Sequence, residues 1–305
     1  MRARSAMHAT SAAPDFSAAR ARVAHALDAL CERALPAIGG PVGDAMRYSI
    51  SGEGKRLRAV LVMLTYEACG GAGDVAPLAA AVEVVHAYSL VHDDLPCMDD
   101  DDLRRGRPTV HKAFGVPVAT AAGMAMVPLA ARAAWDATQQ LGLDHAASSE
   151  IVRVLMRASG AGGMIGGQLL DLDGEGRRLS YEQLERVHRC KTGALIEASV
   201  VIGALAARAN DALRDALGRY GRCIGLAFQI ADDVLDVTAT SDQLGKTAGK
   251  DLAFQKSTYP ALLGVDGAIA RAEALVQDGC DALRDAGVLT PSLEATARYI
   301  VARRS

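Results

Sequence analysis

Aromatic side chains are scarce, at 4% of 305 residues, with one tryptophan and four phenylalanines. Strands draw on aromatic and β-branched residues, whereas the alanine and leucine that recur here lose little entropy in a helix, so the composition predicts a mainly α protein. No stretch alternates apolar and polar residues with a period of two, which removes the usual sign of a half-buried strand. The six cysteines, Cys31, Cys69, Cys97, Cys190, Cys223 and Cys280, form no CxxC pair and no zinc-like spacing, which excludes a disulfide framework and fits a reduced cytoplasmic setting. Each long apolar run meets Gly, Arg, Asp or His before the roughly 20 residues that a membrane span needs, so stable membrane insertion is not expected. Excess positive charge is missing as well. At a net charge of −3 the chain as a whole does not attract nucleic acid or an anionic membrane, and any anionic ligand must be held by a local arrangement.

A chain that is 50% hydrophobic can bury a large core. Apolar residues at helical spacing predict helices over 16–35, 55–69, 77–91, 118–141, 148–170, 180–207, 211–237, 267–286 and 293–303, with glycine-rich punctuation such as Gly39, Gly40, Gly70, Gly71 and Gly73. Ser180 followed by Gln183 reads as a capping box. No repeat or low-complexity linker divides the chain. The expectation is an all-α, single-domain helical bundle over 14–305 with a central apolar cavity, preceded by a disordered tail at 1–13 that is rich in Arg, Ser and Ala and holds no acid.

The densest feature is His92-Asp93-Asp94-Leu95-Pro96-Cys97-Met98-Asp99-Asp100-Asp101-Asp102-Leu103-Arg104-Arg105-Gly106. So many carboxylates repel one another unless a cation intervenes. Pro96 cannot continue a helix, so the chain should bulge and return Asp99 toward Asp93, making a carboxylate claw. A calcium loop of the EF-hand type would need D-x-D-x-D-G with a glutamate at its twelfth position, which is absent; Mg²⁺ accepts one or two carboxylates together with water and substrate phosphates. Arg104 and Arg105 follow at once, which suits a metal-bridged polyphosphate better than a plain acidic loop. His86, seven residues before Asp93, shares its helix face about 10 Å below it.

Gln229-Ile230-Ala231-Asp232-Asp233-Val234-Leu235-Asp236 repeats the theme on an apolar helix, with Asp232 and Asp236 four apart on one face. Acidic clusters cannot hold a polyanion themselves; they need bridging cations and separate basic donors. Candidates are Lys55 and Arg58 in Gly52-Glu53-Gly54-Lys55-Arg56-Leu57-Arg58, Lys191 and Thr192, Lys246, and Lys256 in Lys256-Ser257-Thr258-Tyr259-Pro260. The first of these is not a P-loop, because G-x-x-x-x-G-K-[ST] is incomplete.

Taken together, these residues resemble the trans-isoprenyl diphosphate synthases, most closely the bacterial members that make farnesyl diphosphate. The first aspartate motif, in its longer D-D-x-x-x-x-D form followed by Arg-Arg-Gly, is Asp93-Asp94 to Asp99 with Arg104 and Arg105. The second is Asp232-Asp233 to Asp236 behind Phe228-Gln229, and Gly166-Gly167-Gln168 with Asp171 also looks like a family element. The resemblance spans residues 52–264. It implies Mg²⁺, three ions per site, held with substrate diphosphate by Asp93, Asp94, Asp99, Asp232, Asp233 and Asp236. It implies that Arg104, Lys191 and Lys246 hold an allylic diphosphate, that Lys55, Arg58, His86 and Arg105 hold isopentenyl diphosphate, that Lys256 is a further substrate-binding residue, and that Thr192 and Gln229 shield the allylic cation. In the family, released diphosphate serves as the base, and the active form is a homodimer. Tyr88 and Ser89, just below the first cluster, are the chain-length positions, and a bulky aromatic there implies a C15 product from C5 and C10 allylic partners, with geranyl and geranylgeranyl diphosphate as the other outcomes.

The pattern is departed from at Glu53, which replaces a glycine, at Ala59, where a proline is usual, and at Met124, where Ala-Gly-Asp reads Ala122-Gly123-Met124 and a polar contact near the cavity is put in question. Two rivals share the fold. A terpene cyclase rarely carries a second D-D-x-x-D or a paired isopentenyl diphosphate site, and a non-catalytic regulatory subunit typically loses aspartate motifs; this chain has both motifs.

Overall fold

The computed structural model describes residues 14–52, 54–238 and 256–302, so the expected tail at 1–13, Glu53 and Lys246 lie outside the described residues. Helices begin where a side chain accepts a free N–H or a proline removes it. After α1 (Ser17–Ala34), α2 (Gly40–Ile50) opens on Pro41 behind Gly39 and Gly40, both at positive φ. Next come α3 (Leu57–Ala68) and α4 (Ala76–Asp93), the latter opening on Pro77 with Asp74 Oδ1 accepting the Ala76 N–H at 3.1 Å. Short α5 (Val110–Phe114) precedes α6 (Val116–Gln140), and α7 (His145–Ser159) is capped by Asp144, whose Oδ1 accepts the Ala147 N–H at 2.8 Å. The order continues with α8 (Met164–Asp173), α9 (Tyr181–His188), a π-helical turn at Arg189–Gly193, α10 (Ala194–Ala206), α11 (Asp211–Thr238), α12 (Tyr259–Asp285) and α13 (Pro291–Ala302). The capping box at α9 is present: Gln183 N donates to Ser180 Oγ at 3.3 Å and Ser180 N to Gln183 Oε1 at 2.9 Å.

The apolar faces decide the packing. α4 is apolar on nearly every side and is buried along α6, with α1 and α3 beside it. α10 is equally apolar and lies against α3, α7 and α11, while α11 packs along α12. Gly203 permits the α10 contact, because a Cβ there would stand 2.5 Å from the Val62 carbonyl oxygen of α3. One apolar cluster is built around Leu27, Met46, Leu78, Val82 and Met126, and a second around Leu61, Ile196, Tyr220, Ile224 and Leu283. Each such buried side chain contributes roughly 1.5–3 kcal/mol. This framework carries the ends of α4 and α11, where the two aspartate clusters stand.

The long helices fall where apolar periodicity places them; the differences lie at glycines and turns. The helix expected over 148–170 is two helices, because Gly160, Gly162 and Gly163 have the lowest propensity short of proline and a Cβ at Gly163 would stand 2.1 Å from the Ala158 oxygen. The one expected over 180–207 is interrupted by the π turn. Apolar periodicity does not announce α2 or α5, which are 11 and five residues long and too short to show it. Strands β1 (Leu103–Arg104) and β2 (Arg107–Pro108) form a small antiparallel hairpin whose two-residue loop, Arg105-Gly106, has φ of 55° and 74°, the type I′ signature. By length and composition alone α6 is long enough and apolar enough to cross a membrane, although Gly123 and Arg132 interrupt its apolar run.

Candidate active site

The chain turns back after α4 as Pro96 predicts. Asp99 N donates to the Asp93 carbonyl at 2.9 Å and Asp100 N to that of Leu95 at 3.2 Å, so the claw between Asp93 and Asp99 is closed by backbone bonds. Asp99 Oδ1 accepts from Gln168 Nε2 of α8 at 3.0 Å, and Lys191 Nζ lies 3.9 Å from its other oxygen. Asp94 is turned the other way. It is buried and held by the Arg104 guanidinium, whose Nε is at 3.0 Å and which also reaches Asp101 at 3.1 Å. Burial raises the Asp94 pKa while Arg104 opposes the rise.

On α11 the three acids likewise differ. Asp233 is a tie between elements: its Oδ2 accepts the Tyr259 N–H of α12 at 3.0 Å and lies 3.2 Å from His188 Nε2 of α9, and its Oδ1 accepts from Gln229 Nε2 at 3.3 Å. Gln229 Oε1 in turn accepts the Thr192 hydroxyl at 2.8 Å. Asp236 is buried, and among the described residues its Oδ2 has no hydrogen-bond partner. Asp232 is half-buried. Burial pulls the Arg58 pKa down, but Glu83, Asp232 and Asp93 all pull it up, so a single guanidinium at the start of α3 feels a carboxylate from each cluster. A charge from each cluster thus acts on the one guanidinium of Arg58. These positions separate stability from chemistry. Asp233→Ala is expected to cost about 2–4 kcal/mol in denaturant unfolding, because it strands a buried N–H and a histidine, whereas Asp232→Ala is expected to cost under about 1 kcal/mol. Equal losses would contradict this division.

Basic groups flank the acids on two sides. Lys191 Nζ lies 2.7 Å and Lys256 Nζ 2.9 Å from the same Asp171 oxygen, and Lys256 also reaches Glu175 at 3.3 Å. Burial opposes ionisation of Asp171, yet the two ammonium groups hold its pKa at about 2. Because that pKa is depressed, the stabilisation is complete above the unfolded carboxylate range and is lost only as pH falls toward about 2. The π turn aims Lys191 and Thr192, and α8 abuts it so closely that a Cβ at Gly167 would stand 2.1 Å from Lys191 N.

On the other side, His86 Nε2 lies 3.4 Å from Arg58 Nη1 and 3.5 Å from Arg105 Nη2. Burial and these two cations drive its pKa well below the usual value, so the imidazole is neutral and accepts from the guanidiniums. Arg58 Nε is buried with no hydrogen-bond partner among the described residues. Lys55 is exposed just before α3. The departure at Ala59 has a use: its N–H donates to buried Glu83 at 3.2 Å, which a proline could not do, and Glu83 also faces Arg56 at 3.4 Å. Tyr88 is buried on α4 against Gly123 of α6, where a Cβ would lie 3.5 Å from its ring. Ser89 Oγ is turned back to donate to the His86 carbonyl at 2.8 Å. Met124, in contrast, is 71% exposed, so the side chain at this departure points to the surface and not into the interior.

Residues 41–280 match the model of the polyprenyl synthetase family. The chain belongs to this family. Its relatives include farnesyl diphosphate synthase of Escherichia coli (strain K12), 47% identical over 277 residues, covering 88% of this chain and 91% of that protein. The chloroplastic geranylgeranyl pyrophosphate synthase of Catharanthus roseus is 46% identical over 269 residues, covering 86% and 74%. Among solved structures, a geranyltransferase from Helicobacter pylori complexed with magnesium and isoprenyl diphosphate superposes with a TM-score of 0.78 at 29% identity, over 98% of each chain. This polyprenyl synthetase is thus an all-α prenyl-transferring enzyme.

Some site residues of this polyprenyl synthetase escape sequence reading. The joint grip of Asp171 on Lys191 and Lys256, and the His188 and Tyr259 contacts of Asp233, cross between helices far apart in the chain, and no local spacing announces them. Glu83 is visible in the sequence as the one acid in the interior of a mostly apolar helix.

Proposed function

We propose that the chain is a Mg²⁺-dependent short-chain prenyltransferase that condenses isopentenyl diphosphate with C5 and C10 allylic diphosphates to give farnesyl diphosphate. The observation that carries this reading is that Arg58 feels Asp93 of one cluster and Asp232 of the other while Lys191 feels Asp93 and Asp99, so that two separate basic groups, Lys191 with Lys256 and Arg58 with Arg105, border the acids. Two polyanions side by side need two such groups.

The donors fit magnesium. They are carboxylate oxygens only, as a hard cation prefers, and the buried, unpartnered oxygen of Asp236 is the kind of atom that a nearby cation or its bound water satisfies. Asp93, Asp99 and Asp232 would hold the ions, with Asp236 behind them; three per site is the proposed count. Bound there, magnesium supplies Lewis-acid stabilisation of the departing diphosphate. Asp94 and Asp233, tied to Arg104 and His188, position the loop and helix that carry the others.

Lys191 and Lys256 are pre-oriented by Asp171 to bind allylic diphosphate oxygens, and Lys246 joins them in this reading. Arg104 keeps its place through Asp94. As the allylic C–O bond breaks, the electron pair leaves with diphosphate and these cations stabilise it. Lys55, Arg58 and Arg105 hold isopentenyl diphosphate, and His86 keeps the two guanidiniums together as their common acceptor. The alkene pair then forms the new C–C bond, and the proton passes to the retained diphosphate, so no side chain has to be the base. Thr192 and Gln229, locked by their mutual hydrogen bond, present fixed dipoles beside the carbocation.

Relatives are named for C15, C20 and C25 products, and the choice of C15 rests on Tyr88. Its ring is buried between α4 and α6 five residues before Asp93, and in this reading it is the floor at which the growing chain stops, with Ser89 beside it. Tyr88→Ala is expected to shift the products to C20 or longer by mass spectrometry; unchanged products would show that Tyr88 is not the floor. We also propose a cytoplasmic homodimer. The free thiols of all six cysteines support a reducing compartment, and Val116 and Met124 leave α6 with apolar side chains open to a second copy. Sedimentation at the mass of one chain would contradict the dimer. The direct test of function is incubation with Mg²⁺, isopentenyl diphosphate and C5, C10 or C15 allylic diphosphates: C15 should accumulate from the first two, and no elongation of any would overturn the reading.

A further inference from the structure

The hairpin that carries Arg104 and Arg105 is rooted in a second group of donors outside the diphosphate region. Asp100, Asp102 and His111 each offer one ligand atom, and these atoms lie within 4.8 Å of one another. Acids alone would say little, since both aspartates are exposed. His111 is what distinguishes the group. It is 6% exposed, and its Nε2 is buried without a hydrogen-bond partner among the described residues, 3.8 Å from Asp100 Oδ1 and thus beyond hydrogen-bond reach. Its other ring nitrogen, Nδ1, lies 3.1 Å from the hydroxyl of buried Thr109.

Neither neutral tautomer resolves this arrangement. With the proton on Nδ1, donated to Thr109, the Nε2 lone pair faces two carboxylates and repels them. With the proton on Nε2, a buried N–H lacks an acceptor, a cost of about 1–3 kcal/mol. A divalent cation removes both difficulties, because it takes the lone pair and neutralises the acids. We propose that Asp100, Asp102 and His111 form a binding site for one divalent transition-metal ion, separate from the magnesium sites of the diphosphate region.

The donor set selects the ion. An imidazole with two carboxylates suits Mn²⁺, Fe²⁺ or Zn²⁺, whereas Mg²⁺ prefers oxygen alone. Thr109 plays the outer part that fixes a ligating histidine, accepting its second N–H and setting the tautomer. Lys112 Nζ lies 2.8 Å from Asp102 Oδ1, so the ion competes with an ammonium for one oxygen, and exposure of the aspartates leaves it exchangeable. Thr109 N already donates to the Asp102 carbonyl at 3.0 Å across the base of the hairpin. A metal from Asp100 to His111 would clamp that base and fix the arm on which Arg104 and Arg105 stand.

The test is a Mn²⁺ titration of the full chain in excess Mg²⁺ and without diphosphate, read by electron paramagnetic resonance, with pulsed measurements for coupling to nitrogen. The wild type should bind Mn²⁺ with an imidazole nitrogen coupling. His111→Gln should abolish that coupling, and Asp102→Asn, an exposed change that spares folding, should weaken the same binding about tenfold or more. Mn²⁺ held by carboxylates alone shows no such coupling, so bound Mn²⁺ without nitrogen, or equal affinity in wild type and Asp102→Asn, would overturn the proposal.

Discussion

Asp99→Asn, Asp93→Asn and Asp232→Asn are each expected to lower kcat for elongation by about 10²–10³-fold, the scale seen when one element of transition-state charge stabilisation is removed. The reason is the closed geometry of the claw. Asp99 is fixed from three directions, by its backbone bond to Asp93, by Gln168 and by Lys191, so asparagine keeps the shape and deletes only charge. Asp232 approaches from another helix and shares the field at Arg58 with Asp93. Groups that act as a unit are not additive, so Asp93→Asn with Asp232→Asn together should be little worse than either alone. Single-turnover kinetics would show this, and a multiplicative loss would mean that the two clusters act independently.

The second large effect separates the two basic groups. Lys191→Met is expected to lower kcat/KM for the allylic substrate by about 10²–10³-fold, because a cation aimed at the departing diphosphate stabilises charge that develops only as the bond breaks. KM for isopentenyl diphosphate should stay within about threefold. Arg58→Met should reverse the pattern, raising KM for isopentenyl diphosphate through the loss of a guanidinium held beside His86. Steady-state kinetics with each substrate varied in turn decides the matter. If both variants raised the same KM, the two groups would serve one diphosphate.

Much of this was legible because the relevant physics is local. Helix periodicity places α1, α3, α4, α6 and α11, and the repulsion of clustered carboxylates alone points at Asp93 to Asp99 and Asp232 to Asp236. Pro96 announced the turn that brings Asp99 back to Asp93. What could not be read is the division of labour inside each motif. Asp93 and Asp94 are neighbours with identical side chains, yet one stands at the open end of α4 and the other is buried under Arg104; the same holds for Asp232 and Asp233. That difference is set by partners ten to 45 residues away, Arg104 and His188, and spacing along one helix carries no trace of them. The breaks at Gly160 to Gly163 and the type I′ loop at Arg105-Gly106 are a different matter, since their glycines were visible and outweigh the apolar periodicity around them.

The measurement closest to the centre of the account is calorimetric binding of inorganic diphosphate to the wild type, Asp93→Asn and Asp232→Asn, each with and without Mg²⁺. If carboxylates from α4 and α11 grip one diphosphate through shared ions, the wild type binds only with Mg²⁺ and each variant loses about tenfold or more in affinity. Binding that persists without Mg²⁺, or that is unchanged by removal of either aspartate, would contradict it.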